Sequence, residues 1–263
     1  MDGILKQNGF ITQLSALTIM LTFVLSTGCS KTGQFNVKGL EDTNQSSGLT
    51  SPSTEVGSTP TPTPSLPEAP PSFKMTPLAW ESTKFPERSL WSAYLQKIIS
   101  TEWSSLLPGA NDITDFCPTY NNLDNDERAN VWAQLFVAIA KFESGYSPTS
   151  RMQETTMGTD PVTNQPVYSE GLLQLSYQDV EWAPWCQFEW TKDKSLSGSD
   201  PKKTILNPYR NLYCGVGIMA KQIKTKGSIV VSSGVYWAVI KAGGRYQQIA
   251  SIQGIVKSLP LCK

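Results

Sequence analysis

The chain has 263 residues, in which 22 lysine and arginine residues balance 22 aspartate and glutamate residues, and it contains no histidine. The absence of histidine excludes a Ser-His-Asp triad, a Cys-His pair and an HExxH zinc site. The balanced charge provides no net positive field to attract nucleic acid, so we expect no nucleic-acid partner.

Residues 1–28 have the pattern of an export signal. Lys6 precedes a mostly apolar run from Leu14 to Leu25, and small residues then lead to Cys29. The run is too short to span a bilayer comfortably. The stretch Leu25-Ser-Thr-Gly-Cys29 resembles the lipobox of bacterial lipoproteins, which implies a lipid on Cys29. The alternative is an ordinary signal peptide with a chance cysteine. We expect an exported protein that is periplasmic, held at the outer membrane through a lipid anchor only, or secreted.

The other four cysteines are Cys117, Cys186, Cys214 and Cys262. An even number of cysteines in an exported chain predicts two disulfides. None of the four lies in a CxxC motif and the chain has no histidine, so we expect no zinc site, and no metal or cofactor. Of the three possible pairings we favour Cys186 with Cys214 and Cys117 with Cys262.

The rest of the chain divides into a spacer and one domain. Residues 29–72 are polar and end in the proline-rich stretch TPTPTPSLPEAPPS, which favours an extended linker. Residues 73–263 contain helical spacing but no useful alternating strand pattern, so we predict a mainly α-helical domain with a loop-rich segment between Ser144 and Ser169. Helical segments are expected at Trp91–Trp103, Asn125–Gly145, Asn207–Gly227, Gly234–Gly244 and Gly244–Leu259.

One of these helices carries a glutamate on an apolar stripe. Its segment reads NDERANVWAQLFVAIAKFESG, with Asp124 or Asn125 as N-cap and Gly145 as C-cap. Apolar residues follow at helical spacing, and Glu143 continues their stripe seven residues after Phe136. The stripe comprises Trp132, Leu135, Phe136, Ile139 and Phe142.

Polar residues mark a different face of that helix, at Gln134 and Lys141, so we expect Glu143 to point inward. Burial raises the pKa of a carboxyl group. A carboxylic acid that stays protonated near neutral pH can protonate the leaving oxygen of a glycosidic bond. The alternative is a solvated glutamate in the last turn of the helix.

Four motifs carry a resemblance to a known family. FESGYSP around Glu143 and SEGLLQLSYQDV (Ser169–Val180) resemble the Glu-Ser and Gly-Leu-(Met or Leu)-Gln signatures of the goose-type lysozyme and lytic transglycosylase family. NLYCGVGIM (Asn211–Met219) is similar to the family's Asn-Ile-x-x-Gly helix, and VYWAVIK around Tyr236 occupies the place of its Ala-Tyr-Asn-x-Gly motif. The order agrees over about residues 125–245. Trp237 stands where the family has asparagine, and the loop between the first two motifs is longer than usual.

The resemblance implies a lysozyme-like fold and a monomer that acts on peptidoglycan glycan strands. It makes Glu143 the catalytic acid. The alternatives are that Tyr236 is a core aromatic residue, that Gln174 holds a loop, and that Gly171 is structural. The residues implied to line the sugar-binding cleft are Tyr146, Ser169, Gly171, Leu172, the backbone of Leu173, Gln174 and Tyr236.

A second carboxylate decides between two reactions. A lone acid suits a lytic transglycosylase, in which a hydroxyl of the sugar itself attacks and forms a 1,6-anhydro end. Inverting hydrolysis needs a second carboxylate roughly 6.5 to 9.5 Å from the first. The loop offers Glu154, Asp160 and Glu170, of which Glu154 is preferred because it is close in sequence to Glu143. Glu154 or Asp160 would alternatively pair with the free amine of a deacetylated sugar.

The resemblance therefore implies a glycosidase that cleaves the β-1,4 bond between N-acetylmuramic acid and glucosamine, acetylated or N-deacetylated. The alternatives are a lytic transglycosylase that uses Glu143 alone, a glycan-binding envelope lipoprotein without catalysis, and a stalked surface protein that binds a protein partner.

Overall fold

The central helix of the structure is α2, which carries Glu143 near its carboxyl end. In a computed structural model that describes residues 74–263, α2 runs Asn125–Ser144. Asp124 caps the amino end and accepts a hydrogen bond from the backbone N–H of Glu127, whose side chain accepts one from the backbone N–H of Asp124. Gly145 ends the helix at φ +59°, in the left-handed region that favours glycine. Both predicted ends of the helix are confirmed.

The other helices are arranged around α2. Helices α1 (Glu87–Ser100) and α5 (Ile249–Lys257) pack against α2, and α4 (Pro208–Lys226) packs against α1. Helix α3 is a single turn, Trp190–Asp193. Six short 3-10 helices lie between these elements in the described residues and a seventh follows α5, and all of these residues belong to one compact unit. The prediction of a mainly α-helical domain is confirmed.

One expected helix is wrong. The segment 234–244 contains only a short 3-10 helix, Ala238–Ile240. Gly234 and Gly243 adopt left-handed φ values of +63° and +68°, which end any regular helix at both sides. Lys241 also forms an isolated parallel bridge with Val231, so its backbone is extended and unavailable to a helix.

The segment expected to be loop-rich contains two small two-stranded sheets. Strand β1 (Arg151–Gln153) pairs antiparallel with β4 (Tyr168–Glu170), and β2 (Thr159–Asp160) pairs antiparallel with β3 (Gln165–Pro166). Strands of two or three residues are too short to show an alternating hydrophobic pattern, which is why the sequence did not reveal them.

Gln134 and Lys141 were both expected on a polar face of α2, and this prediction is wrong for Gln134. Lys141 is exposed, but Gln134 is buried, because packed elements cover the middle of the helix on all sides. Its amide oxygen accepts a hydrogen bond from the backbone N–H of Ala79 (3.0 Å), and its amide nitrogen donates to the carbonyl of Ile255 (3.1 Å). A buried amide that satisfies its hydrogen bonds in this way joins elements distant in sequence.

Two disulfides link distant parts of the chain. Cys117 pairs with Cys262, and Cys186 pairs with Cys214, so the predicted pairing is confirmed. Disulfides indicate maturation in an oxidising compartment outside the cytoplasm.

None of the helices within residues 74–263 combines the length and apolarity needed to cross a membrane. The predicted signal peptide (1–28), lipidated Cys29 and linker (29–72) lie outside the described residues.

Candidate active site

Glu143 lies next to the last residue of α2, with its carboxyl group directed into the protein. Its Oε1 atom is buried and has no hydrogen-bond partner among residues 74–263. Burial is the main cause that raises the pKa of Glu143 to about 7, and the negative charge of Glu154 raises it further. A hydrogen bond from the backbone N–H of Val239 acts in the opposite direction and lowers this pKa. Near neutral pH a large share of this carboxyl group is therefore protonated, and a protonated carboxyl group can act as a general acid.

The residue after the glutamate joins the first two motifs. The hydroxyl oxygen of Ser144 lies 2.8 Å from the carbonyl oxygen of Leu172 and 3.0 Å from that of Ala140. A hydroxyl donor between these two acceptors connects the end of α2 to the Gly-Leu-Leu-Gln segment. The hydrogen bond from Ser144 to Leu172 therefore fixes the position of the neighbouring Glu143 relative to that segment.

Gly171 occupies a position that only glycine fits. Its φ is +83°, and a Cβ atom there would lie 2.4 Å from the side-chain nitrogen of Asn211. Asn211, on α4, accepts a hydrogen bond from the N–H of Leu173 (2.8 Å) and donates to the carbonyls of Glu170 (3.1 Å) and Ile205 (3.0 Å). The asparagine of the third motif therefore holds the second motif, and the structural alternative for Gly171 is supported.

The fourth motif holds the same segment from another side. Trp237 is buried, and its indole Nε1 donates a hydrogen bond to the carbonyl oxygen of Leu173 at 2.9 Å. The family asparagine is absent at this position, but the indole supplies a hydrogen-bond donor. Phe136 of α2 packs edge-on against the Trp237 ring, with the centroids 6.4 Å apart.

These contacts occupy most of the polar groups of the Gly171–Leu173 backbone, and the prediction that this backbone contacts sugar stays a prediction. The Leu172 side chain is fully buried and its carbonyl faces Ser144, so it lies in the core and not in a cleft. The Gly171 N–H donates to the carbonyl of Ser150 at 2.8 Å. The N–H of Leu172 is the one backbone polar group of these three residues without a protein partner among the described residues.

Gln174 holds its loop through its side-chain nitrogen. It donates to the carbonyl of Gly171 at 2.9 Å and lies 3.4 Å from that of Ser150, while its backbone adopts a φ of +50°. Left-handed φ values cost free energy in residues other than glycine and cluster at functional sites. Tyr146 has the same feature, with φ +68°, so each of the first two motifs contains one such residue.

Tyr146 is packed rather than open. It is half-buried, its ring lies edge-on to Trp80 with centroids 6.2 Å apart, and the guanidinium of Arg88 lies 5.3 Å from its ring centroid. Burial raises the pKa of its hydroxyl group. These contacts favour a supporting role beneath the end of α2 over a direct contact with sugar.

Tyr236 lies within electrostatic reach of the acid and is fixed by Asp179, a residue that the sequence did not single out. Its hydroxyl donates to Oδ2 of Asp179 at 2.6 Å. Burial raises the pKa of Tyr236, and the charges of Asp179 and Glu143 raise it further. Burial likewise raises the pKa of Asp179 to about 6. The pattern Ser176-x-x-Asp179 is a capping box visible in the sequence, but it predicts only the start of a helical turn.

Glu154 is the second carboxylate near the acid. It is partly exposed, its backbone N–H donates to the carbonyl of Val167 at 2.9 Å, and its Oε1 accepts a hydrogen bond from the hydroxyl of Ser169 at 2.5 Å. Its effect on the pKa of Glu143 places the two carboxyl groups within electrostatic reach. Glu154 directly follows β1 and Ser169 lies in β4, so the pairing of these two strands brings the two residues together.

Asp160 does not join them, which corrects its prediction as a second carboxylate or amine contact. Asp160 is buried, and its Oδ1 accepts hydrogen bonds from the backbone N–H groups of Val162 (2.8 Å) and Thr163 (3.2 Å). Its Oδ2 accepts from the Ser176 hydroxyl (3.1 Å) and the Gln178 N–H (3.0 Å). With both oxygens occupied, Asp160 holds the turn between β2 and β3.

Glu170 is structural as well. It is buried, it forms an ion pair with the buried ammonium group of Lys203, and its Oε2 lies 3.4 Å from Nε of Arg151. Within residues 74–263, no group of three or more cysteine or acidic side chains is placed to hold a metal ion. The site therefore consists of Glu143, Glu154 with Ser169, and Tyr236 with Asp179.

Of three comparisons with known proteins, only the one with solved structures found similar chains. The sequence matches no family model, and no curated protein matches it. Three solved structures of Bd0314 DslA, a Bdellovibrio protein, are similar to the chain. The wild-type form 2 has 26% sequence identity and a TM-score of 0.59. Two variants, with glutamine in place of glutamate at that protein's positions 143 and 154, have 25% identity and TM-scores of 0.59 and 0.60. Each match covers 73% of this chain and 100% of the other.

Proposed function

We propose that the chain is a peptidoglycan-cleaving glycosidase that uses Glu143 as its general acid. The bond cleaved is the β-1,4 link between N-acetylmuramic acid and glucosamine. The observation that carries this proposal is the buried Oε1 of Glu143, which has no hydrogen-bond partner in the described residues and belongs to a carboxyl group whose pKa is raised to about 7. A carboxyl group in this state can give its proton to the leaving glycosidic oxygen as the C1–O bond breaks.

The agreement between four separate motifs supports the same proposal. Ser144, Asn211 and Trp237 come from three different motifs, and all three bind the backbone of residues 172–173 in the remaining motif. Motifs that occurred by chance would have no reason to converge on one short segment. The convergence supports the resemblance to goose-type lysozymes and lytic transglycosylases, and with it a lysozyme-like fold.

The second carboxylate favours hydrolysis as the first candidate. Glu154 lies within electrostatic reach of Glu143, and Ser169 occupies only its Oε1 atom. The remaining oxygen is available to take a proton from water, which would attack the anomeric carbon and leave a reducing end. If Glu154 does not act as a base, the 6-hydroxyl of the muramic acid attacks instead and gives a 1,6-anhydro end. This lytic transglycosylase reaction needs Glu143 alone.

Glu154 also bears on the choice of substrate. A carboxylate at this place would pair with the free amine of an N-deacetylated glucosamine, and it would have no such partner on the acetylated sugar. Both acetylated and deacetylated glycan should therefore be tested as substrates. If the pairing occurs, Glu154→Gln lowers turnover of the deacetylated form more than that of the acetylated form.

Mass spectrometry of released fragments tests the proposal. The purified chain is incubated with native and with N-deacetylated peptidoglycan sacculi, beside its Glu143→Gln variant and a matched control, Glu87→Gln. Glu87 is exposed in the first turn of α1, on a different element from the site. We expect Glu143→Gln to lower product release by at least about 100-fold, because general acid catalysis contributes on that order, and Glu87→Gln to leave it unchanged.

The products separate the alternatives. Reducing ends indicate a lysozyme, and 1,6-anhydro ends indicate a lytic transglycosylase. If the unaltered chain releases no fragments from either substrate, catalysis is wrong and a glycan-binding envelope lipoprotein becomes the better interpretation. Export to the periplasm, the outer membrane or the medium is part of the proposal and agrees with the two disulfides.

A further inference from the structure

A groove of about 270 Å³ opens beside Tyr236, on the side of α4. We call it the Trp182 groove. Its walls combine an exposed indole, aliphatic side chains and a lysine, which is the composition of a site for a ligand that is partly apolar and partly charged. The groove is lined by Trp182, Ile218, Lys221, Gln222, Thr225, Gly234, Val235 and Tyr236.

Tyr236 connects this groove to the candidate active site. Its ring lies 6.2 Å from that of Trp182, centroid to centroid, in a tilted arrangement, and its hydroxyl is held by Asp179. The same tyrosine is within electrostatic reach of Glu143. Tyr236 therefore both lines the Trp182 groove and lies within electrostatic reach of the acid.

Trp182 presents a surface that a sugar can use. Its side chain is 39% exposed, which is unusual for an indole in a domain whose largest aromatic residues are buried. Trp185 supports it edge-on, with ring centroids 6.4 Å apart. A supported aromatic face loses little conformational entropy when an apolar sugar face packs on it.

Lys221 gives the groove a positive charge. Its ammonium nitrogen lies 4.6 Å from the ring centroid of Trp182 and 3.5 Å from the carbonyl oxygen of the same residue. Lys221 is exposed and forms no salt bridge with a carboxylate of residues 74–263. Lys226 adds a second ammonium group next to Gly234, another residue that lines the groove.

We propose that the Trp182 groove is a binding subsite for a sugar unit that bears a carboxylate, with Trp182 packing against the ring and Lys221 pairing with the carboxylate. The proposal deepens and rests on the proposed function. In peptidoglycan the carboxylate belongs either to the lactyl group of muramic acid or to the peptide attached to it. Both sources share the same chemistry, and the ligands of the experiment distinguish them.

Binding is measured by calorimetry in the Glu143→Gln background, so that turnover does not consume the ligand. The probes are a peptidoglycan tetrasaccharide with its peptides removed, the same tetrasaccharide with its peptides, and neutral chitotetraose. Trp182→Ala and Lys221→Met are added separately to this background. The matched control is Lys224→Met, an exposed lysine on the same helix that does not line the groove.

We expect Trp182→Ala to weaken all three ligands and Lys221→Met to weaken only those with a carboxylate. An exposed ion pair predicts a loss of about three- to fivefold for Lys221→Met, and 1 M salt should reduce it. Lys224→Met should bind as the parent does. The lactyl carboxylate, which is free only where the peptide is absent, is the source if Lys221 matters only for the peptide-free tetrasaccharide. The peptide is the source if Lys221 matters only when peptides are present, and an effect on both ligands means that the subsite accepts either carboxylate.

Several outcomes would overturn the subsite. If Lys221→Met weakens chitotetraose as much as the charged ligands, Lys221 does not pair with a carboxylate. If Trp182→Ala and Lys221→Met both bind all ligands as the parent does, the groove is not a binding site. If the parent binds none of the three ligands, both parts of the proposal are wrong. Fragment release by the unaltered chain separates this proposal from the proposed function. If fragments are released while both groove variants bind normally, only the subsite fails. If binding depends on Lys221 and no fragments are released, only catalysis fails.

Discussion

The indole nitrogen of Trp237 and the carbonyl oxygen of Leu173 are joined by a buried hydrogen bond of 2.9 Å. This contact joins the fourth motif to the second, at a position where the family that the chain resembles has asparagine. Since a donor is all that the Leu173 carbonyl needs, a side chain of different size and shape can supply it, provided that the surroundings make room. Phe136 packs against the larger ring.

Removing that donor should destabilise the protein. Trp237→Phe keeps an aromatic ring but leaves a buried carbonyl unpaired, so we expect the free energy of unfolding to fall by about 1–3 kcal/mol in urea denaturation. Trp103→Phe is a matched control, because the Trp103 indole nitrogen is buried without a hydrogen-bond partner in the described residues. We expect Trp103→Phe to cost less than Trp237→Phe. Equal costs would mean that ring size and not the hydrogen bond matters.

The sequence predicted correctly those helices whose start, apolar face and end are each marked by a recognisable residue. Helix α2 has a capping residue, an apolar stripe and a terminal glycine, and each of these signals acts within a few residues of chain. The disulfide pairing was predicted correctly, but as one of three possibilities. The segment 234–244 was wrong because its glycines and its bridge to Val231 depend on the surrounding fold.

The sequence could predict a site residue only where the residue type is unusual for its position in the local pattern. Glu143 could be proposed because a carboxyl group on an apolar stripe is unusual. Asp160 and Glu154 are both acidic residues of the same loop, and nothing in the sequence says that β2 and β3 bury the first while β1 and β4 carry the second toward the acid. Asp179 was missed because its partner, Tyr236, lies 57 positions further along the chain.

The raised pKa of Glu143 predicts a cost in stability at high pH. The folded protein holds this proton more tightly than the unfolded chain, so the free energy of unfolding falls as pH rises from about 4.5 to about 7. Glu143→Gln removes the charge and should therefore stabilise the protein at pH 8, by at most about 3 kcal/mol for a shift from 4.5 to about 7, and hardly at all at pH 4.

Thermal unfolding of both proteins across this pH range measures the difference. Glu87→Gln, on the surface of α1, should show no gain that grows with pH. A constant difference between Glu143→Gln and the unaltered protein at all pH values would contradict a raised pKa at Glu143.

Glu154 should help to keep Glu143 protonated. Its negative charge favours the neutral form of the neighbouring acid, so Glu154→Gln should lower the pKa of Glu143. Carbon-13 NMR titration of labelled glutamate carboxyl groups measures this directly, with the Glu143 signal assigned by its loss in Glu143→Gln. Because the titration needs no turnover, it applies whether or not Glu154 is also the base. An unchanged pKa in Glu154→Gln would mean that the two groups are not coupled.

Asp179 should act as a positioning residue that fixes Tyr236 beside the acid. Tyr236→Phe and Asp179→Ala each remove the same hydrogen bond, so we expect each to lower turnover by about tenfold or more, as the loss of a hydrogen bond to a charged group allows. The double variant should be no worse than either single one, because residues that act through one contact are not additive. Asp179→Asn keeps an acceptor for Tyr236 and for the Ser176 N–H, and it should restore much of the turnover.

The chain offers a second pair of the same chemistry as a control. The hydroxyl of Tyr177 donates to the buried Asp193 at 2.7 Å, and the charges that affect the pKa of Tyr177 come from Asp193, Glu170 and Arg151 and not from Glu143. Tyr177→Phe should therefore lower the melting temperature while leaving the turnover of the folded protein unchanged. General destabilisation would explain the result if Tyr177→Phe lowers turnover as much as Tyr236→Phe does, or if the losses at Tyr236 and Asp179 add. Only a contact made at the acid predicts that Tyr236→Phe lowers turnover while Tyr177→Phe does not, and that the two losses do not add.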